Sequence, residues 1–141
     1  MTGDDHLFLD TALVPGLLSR TDQHHEDALR LEPRLPTAAE IWTTEAVLVE
    51  IANTMSSTNR LAAARFIEVL YRTRNARIEP VTSELLQRGL TLYRSRPDKQ
   101  WGLTDCISFV VMADRGITDA LTTDQHYVQA GFNALMRSSS P

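Results

Sequence analysis

The sequence predicts an α/β fold in which short parallel strands form a sheet covered by helices on both faces. Three observations lead there. Short apolar runs of strand character alternate with stretches whose apolar residues recur at helical spacing. The length of 141 residues suits one domain, with no repeat, linker or composition break to divide it. A content of 43% hydrophobic and 23% charged residues, with 6 Gly and 6 Pro, excludes disordered and collagen-like chains.

The elements follow in order. Leu7-Phe8-Leu9 reads as a buried strand that stops at Asp10. Ala12 to Leu18 is a short helix, with Pro15 tolerated in its first turn. Thr21 or Asp22 caps the next helix, which carries Ala28 and Leu31 and is ended by Pro33 and Pro36. Ile41-Trp42-Thr43 is a second strand. Thr44 then caps a helix with Val47, Leu48, Ile51, Ala52 and Met55 on its apolar face. After the loop Ser56 to Asn59, Leu61 to Tyr71 has helical spacing. Ala76 to Glu79 is a third strand, closed by Pro80. Thr82 or Ser83 caps a helix through Tyr93, and Ser95 to Gln100 is a polar loop. Thr104 caps the most apolar segment, Cys106 to Met112, a helix expected to be central and ended by Gly116. Ala120-Leu121-Thr122 is a strand ending at Thr123-Asp124, and Phe132 to Met136 a last edge strand. The folded core is expected over about residues 7–136, with a frayed tail at 137–141.

Composition narrows the function. No run approaches the roughly 18 apolar residues of a membrane span. The acidic start, Met1 to His6, lacks the positive charge of an export signal. A single cysteine, Cys106, forbids an internal disulfide and fits the cytoplasm. Charge is uneven: residues 60–99 hold eight Arg and Lys99 against four acids, whereas residues 1–59 hold three Arg against ten acids. Arg presents a planar fork suited to phosphate, so a basic surface beside an acidic one fits a metal enzyme acting on a polyanion.

Most acids sit in polar contexts, but four do not. Asp10 and Asp124 each follow an apolar strand, where ligands bind in parallel sheets. Asp105 opens the apolar helix, one residue past its cap, and Glu50 lies between Val49 and Ile51. Singly, each has an ordinary reading: a turn residue, a helix-dipole partner, a solvated side chain or a cap. Together, buried carboxylates repel one another, and no Lys or Arg adjoins any of them in sequence. A hard divalent cation resolves that conflict, and Mg²⁺ takes one or two carboxylates plus water and phosphate oxygens.

These segments, Leu9-Asp10-Thr11, Glu50, Trp101-Gly102-Leu103-Thr104-Asp105-Cys106-Ile107-Ser108-Phe109 and Leu121-Thr122-Thr123-Asp124, occur in the order seen in PIN-domain nucleases. The chain most resembles the small VapC-like toxins of bacterial toxin–antitoxin pairs, from about Leu7 to Met136, with His126-Tyr127 and Ala130-Gly131-Phe132 similar to the closing segment. The resemblance implies a three-layer α/β/α sandwich with a central, mostly parallel sheet, and RNA cleavage dependent on Mg²⁺, with Mn²⁺ able to substitute. It implies Asp10, Glu50, Asp105 and Asp124 as the metal-holding catalytic acids. Thr11 is implied as a supporting residue that orients Asp10 or touches phosphate, with Thr123 as a weaker candidate. It further implies a small antitoxin partner and a homodimer, whose face the helices between Ala46 and Leu70 would supply. The departures are Ala12, where a small polar residue is usual, Pro15, and Glu45, which competes with Glu50 but falls at the helix start.

The expected mechanism is hydrolysis of an RNA phosphodiester by a metal-activated water. Cys106 is read as a small buried hydrophobe, and Trp42 and Trp101 as anchors. His24 and His25 are read as packing or capping residues, and His126, two residues past Asp124, as a lesser candidate for the site. The alternative function is an inactive PIN-like module that binds RNA or protein. A receiver-type phosphoacceptor is disfavoured: Asp4-Asp5 precedes the first strand, and Lys99 sits in a loop.

Overall fold

The computed structural model describes residues 5–137. Five strands, β1 (His6–Leu9), β2 (Glu40–Thr44), β3 (Ala76–Glu79), β4 (Asp119–Leu121) and β5 (Asn133–Ala134), form one sheet in the order β3-β2-β1-β4-β5. Every pairing is parallel, with Phe8 opposite Trp42 on one side and Ala120 on the other. Leu7, Phe8 and Leu9 are all buried although successive side chains point to opposite faces, so the sheet is covered on both sides. The covering helices are α1 (Leu13–Leu18), α2 (His25–Leu31), α3 (Glu45–Thr54), α4 (Arg60–Tyr71), α5 (Ser83–Ser95), α6 (Leu103–Arg115) and α7 (Gln125–Gln129).

Local chemistry fixes most of these ends. Thr44, Asn59 and Thr82 each accept a backbone N–H of the first turn they cap, from Val47, Ala62 and Leu85. Of the two caps expected for α5, Thr82 is therefore the one used. Pro33 sits in a short 3₁₀ turn, Glu32–Arg34, that ends α2. Gly116 terminates α6 at φ 68°, a left-handed conformation that glycine adopts without steric cost.

Several boundaries differ from the sequence reading: α2 starts at His25, past both Thr21 and Asp22, and β4 covers Asp119–Leu121. Helix α6 is capped at Gly102 rather than at Thr104, because the Asp105 carboxylate accepts the Gly102 N–H at 3.2 Å and closes the first turn earlier. The last strand shrinks from 132–136 to Asn133–Ala134, beside β4. The five residues of α7, too few to show a helical period, follow Asp124 where no helix was expected. Of the tail expected to fray, residues 138–141 lie outside the described residues, and the Arg137 side chain donates to the Thr123 carbonyl at 3.0 Å.

Helix α6 is the internal pillar. Cys106, Ile107, Ser108, Phe109, Val111 and Met112 are all buried. Phe109 meets Trp101 and Tyr127 edge-on at ring separations of 5.1 and 4.9 Å, which ties the start of α6 to α7. The sheet order reverses direction at β1, with β2 and β3 on one side and β4 and β5 on the other. The crevice beyond the carboxyl ends of β1 and β4 is therefore where a ligand site belongs.

Candidate active site

Each acid reaches that crevice by a different route. Asp10 follows β1 directly and is 5% exposed. Its Oδ2 accepts the Thr122 hydroxyl at 2.6 Å, and the same hydroxyl accepts the Asp124 N–H at 3.1 Å. One buried threonine thus fixes the first acid and the backbone of the fourth. Glu50 stands on α3 and accepts the Thr11 hydroxyl, so the turn after β1 is joined to α3 across the site. Asp105, in the first turn of α6, is positioned by its bond to Gly102. Asp124 caps α7, with Oδ1 accepting the His126 N–H at 2.8 Å.

The electrostatics mark one cluster. Burial pushes the Asp10 carboxyl up to about 6, helped by the nearby Asp105 charge and opposed by the Thr122 and Thr11 hydrogen bonds. Burial likewise raises Asp105, with Asp124 and Glu50 adding like-charge repulsion, while the Gly102 N–H and His126 pull the other way. Tyr127 is fully buried and pushed well above the usual phenol range, first by burial and then by the charge of Asp10. Among the described residues no Lys or Arg forms an ion pair with Asp10, Glu50, Asp105 or Asp124.

The residues fit a divalent cation. Ligand atoms of Asp105, Asp124 and His126 all lie within 4.8 Å of one another. The Nδ1 of His126 is buried without a hydrogen bond, 3.5 Å from Asp105 Oδ2 and 3.3 Å from Asp124 Oδ1. An unpartnered nitrogen between two carboxylates is a donor set that lacks its acceptor of electron pairs.

All four acids named from the sequence come to this crevice, and Glu45 does not: its carboxylate accepts the Val81 N–H at 2.9 Å elsewhere on the surface. The Thr11 hydroxyl goes to Glu50, and Asp10 receives only the Thr11 backbone. The hydroxyl on Asp10 belongs to Thr122, which the sequence reading passed over in favour of Thr123. Thr122 is fully buried beside Asp10, a placement that three residues of β4 are too few to display in the sequence. Tyr127 was also missed; only its place one residue past His126 marked it. Burial pushes the Cys106 thiol up to about 11, which leaves it an inert core residue.

A five-stranded parallel sheet with acids gathered past its central strands defines a nuclease-type site, and the chain belongs to the PIN domain family, which it matches over residues 7–133. Within that family it is similar to the 23S rRNA-specific endonuclease VapC20 of two Mycobacterium tuberculosis strains, at 26% identity over 126 residues, 89% of this chain and 95% of the relative. The crystal structure of Mycobacterium tuberculosis VapC20, a sarcin–ricin loop cleaving toxin, matches with a TM-score of 0.79 and 25% identity, over 89% of this chain and 95% of that one. Among the described residues no helix is long and apolar enough to cross a membrane.

Proposed function

We propose that this chain is a divalent-metal-dependent endoribonuclease and the toxin of a type II toxin–antitoxin pair, acting in the cytoplasm. The observation that carries the reading is the convergence of Asp10, Glu50, Asp105 and Asp124 with no Lys or Arg among the described residues to neutralise them. The four acids would hold the cation, Mg²⁺ or Mn²⁺, and Thr122 and Thr11 keep Asp10 and Glu50 aimed at it. When bound, the cation supplies Lewis acidity toward the phosphodiester and lowers the pKa of water. Burial of Asp10 keeps its carboxyl out of bulk water, so its charge acts at close to full strength. The polar recess of about 240 Å³ beside the acids, lined by Lys99, Gln100, Gln125, His126 and Gln129 among others, offers amide and cationic contacts to a flanking nucleotide.

The likeness to a 23S rRNA-specific endonuclease makes ribosomal RNA the first substrate to test. An antitoxin that covers the acids, and a homodimer through the α3–α4 surface where Val49 and Leu61 are exposed, complete the proposal. Purified protein is expected to cut RNA with Mg²⁺ or Mn²⁺ and to stop on adding chelator. Asp10→Asn and Asp105→Asn should lower the rate by at least about 100-fold while the protein stays folded. Wild-type cleavage by either variant, or no cleavage of total RNA with either metal, would overturn the reading; the second result would favour the inactive binding module.

A further inference from the structure

We propose that His126 is itself a ligand of the metal centre, through Nδ1, and that this one nitrogen donor makes the site favour Mn²⁺ over Mg²⁺. The inference rests on the metal-dependent reading above and adds a residue and a selectivity to it. The ring nitrogen lies 3.5 Å from Asp105 Oδ2 and 3.3 Å from Asp124 Oδ1, and it makes no hydrogen bond although it is buried. With the ring proton on Nε2, the Nδ1 lone pair faces two carboxylate oxygens and is repelled by both, and a cation shared by the three relieves that repulsion as a proton on Nδ1 would. Adjacent donors around an octahedral ion at about 2.1 Å stand about 3.0 Å apart. The two separations from Nδ1 are only a few tenths of an ångström longer, and all three donor atoms lie within 4.8 Å of one another, so side-chain rotations suffice to bring them onto one ion.

Local structure sets this up. Asp124 caps α7 by accepting the His126 N–H at 2.8 Å, so carboxylate and imidazole leave the same turn and point to the same place. The other ring nitrogen, Nε2, makes no hydrogen bond to protein among the described residues, and the ring borders the polar recess. Nε2 can therefore carry the proton while Nδ1 keeps its lone pair. The chemical consequence follows from donor type. An all-oxygen site suits Mg²⁺, whereas an imidazole donor strengthens binding of transition ions and does little for Mg²⁺.

The test uses the whole chain, stripped of metal and loaded with Mn²⁺. Electron spin echo envelope modulation of unlabelled and ¹⁵N-histidine-labelled protein is expected to show a directly coordinated nitrogen whose modulation changes with the isotope. His126→Ala should abolish that signal and weaken Mn²⁺ binding by calorimetry about tenfold or more. Mg²⁺ binding should weaken less than about threefold. Mn²⁺ bound without nitrogen modulation would overturn the proposal and leave the metal-dependent reading standing. Equal loss of both ions in His126→Ala would overturn the selectivity. No Mn²⁺ binding at all would overturn both readings. The labelled wild-type spectrum decides the ligation even if the variant fails to fold.

Discussion

A carboxylic acid placed among apolar groups holds its proton until some charge compensates it. Asp10 is that acid, with its carboxyl raised from 3.8 to about 6 mainly by burial. Because the folded value lies above the unfolded one, Asp10 contributes stability that is fully present below pH 3.8 and lost as pH rises through about 6. The difference is on the order of 3 kcal/mol. In chelator, Asp10→Asn should therefore melt higher than wild type at pH 7, and the gap should close by about pH 4. Thermal melts across that window check it, and a gap independent of pH would refute it. With Mn²⁺ added the order should reverse, since only the wild type gains the full binding energy. A second contrast isolates the threonines. Thr122→Val removes the donor to Asp10 and the acceptor of the Asp124 N–H, at a cost of about 1–3 kcal/mol. Thr123→Ala, whose hydroxyl makes no hydrogen bond among the described residues, should stay within about 0.5 kcal/mol of wild type in denaturant melts.

Secondary elements carry these residues to the crevice, and their packing sets the tolerance of the site. Helix α5 crosses α6 at Gly89, where an added Cβ would lie 2.6 Å from Ile107 Cγ1. Gly89→Ala gains about 1 kcal/mol of helix propensity, but Ile107 is β-branched and held in the core, so the overlap pushes α6 away at about 1–3 kcal/mol. The net expectation is a lower melting temperature and weaker metal binding, because Asp105 rides on α6; an unchanged Mn²⁺ affinity in calorimetry would show that α6 does not move. Elements of this kind were legible in the sequence when burial left a period to read. The strand at Ala76 to Glu79, closed by Pro80, and the helix capped by Thr44 fall where those stop and cap residues put them. The five-residue α7 is not legible, since one turn has no period, and with it goes the nearness of Tyr127 to the acids, whereas His126 is marked only by its place two residues past Asp124. The cap of α6 falls at Gly102 and not at Thr104 because the Asp105 carboxylate, which also faces the crevice, accepts the Gly102 N–H, and a sequence does not display that bond. The choice of Thr123 over Thr122 failed for a similar reason: which of two adjacent threonines faces the crevice depends on the pleat, and β4 is too short to reveal it.

Over the whole molecule the basic segment 60–99 is less cationic than its composition implies. Arg77 pairs with Glu40, Arg88 with Asp114 and Arg96 with Asp98, the last two through paired hydrogen bonds. Arg96 also lies over Trp101, and Arg115 over Trp42, so part of the arginine content anchors aromatic rings. Arg60, Arg65, Arg72 and Arg94 form no ion pair among the described residues and remain available to phosphate. Because each phosphate contact to a single strand contributes about 0.7 to the slope of log affinity against log salt, the two sets of arginines make different predictions. With Asp10→Asn used to prevent cleavage, replacing Arg65, Arg72 and Arg94 by Ala should lower the slope by up to about 2. Replacing Arg77, Arg88 and Arg96 should leave the slope within about 0.5 of its starting value, because acids already neutralise them. Filter binding of RNA over a range of salt concentrations measures both slopes, and equal reductions in the two sets would show that RNA displaces the ion pairs and uses the paired arginines as well.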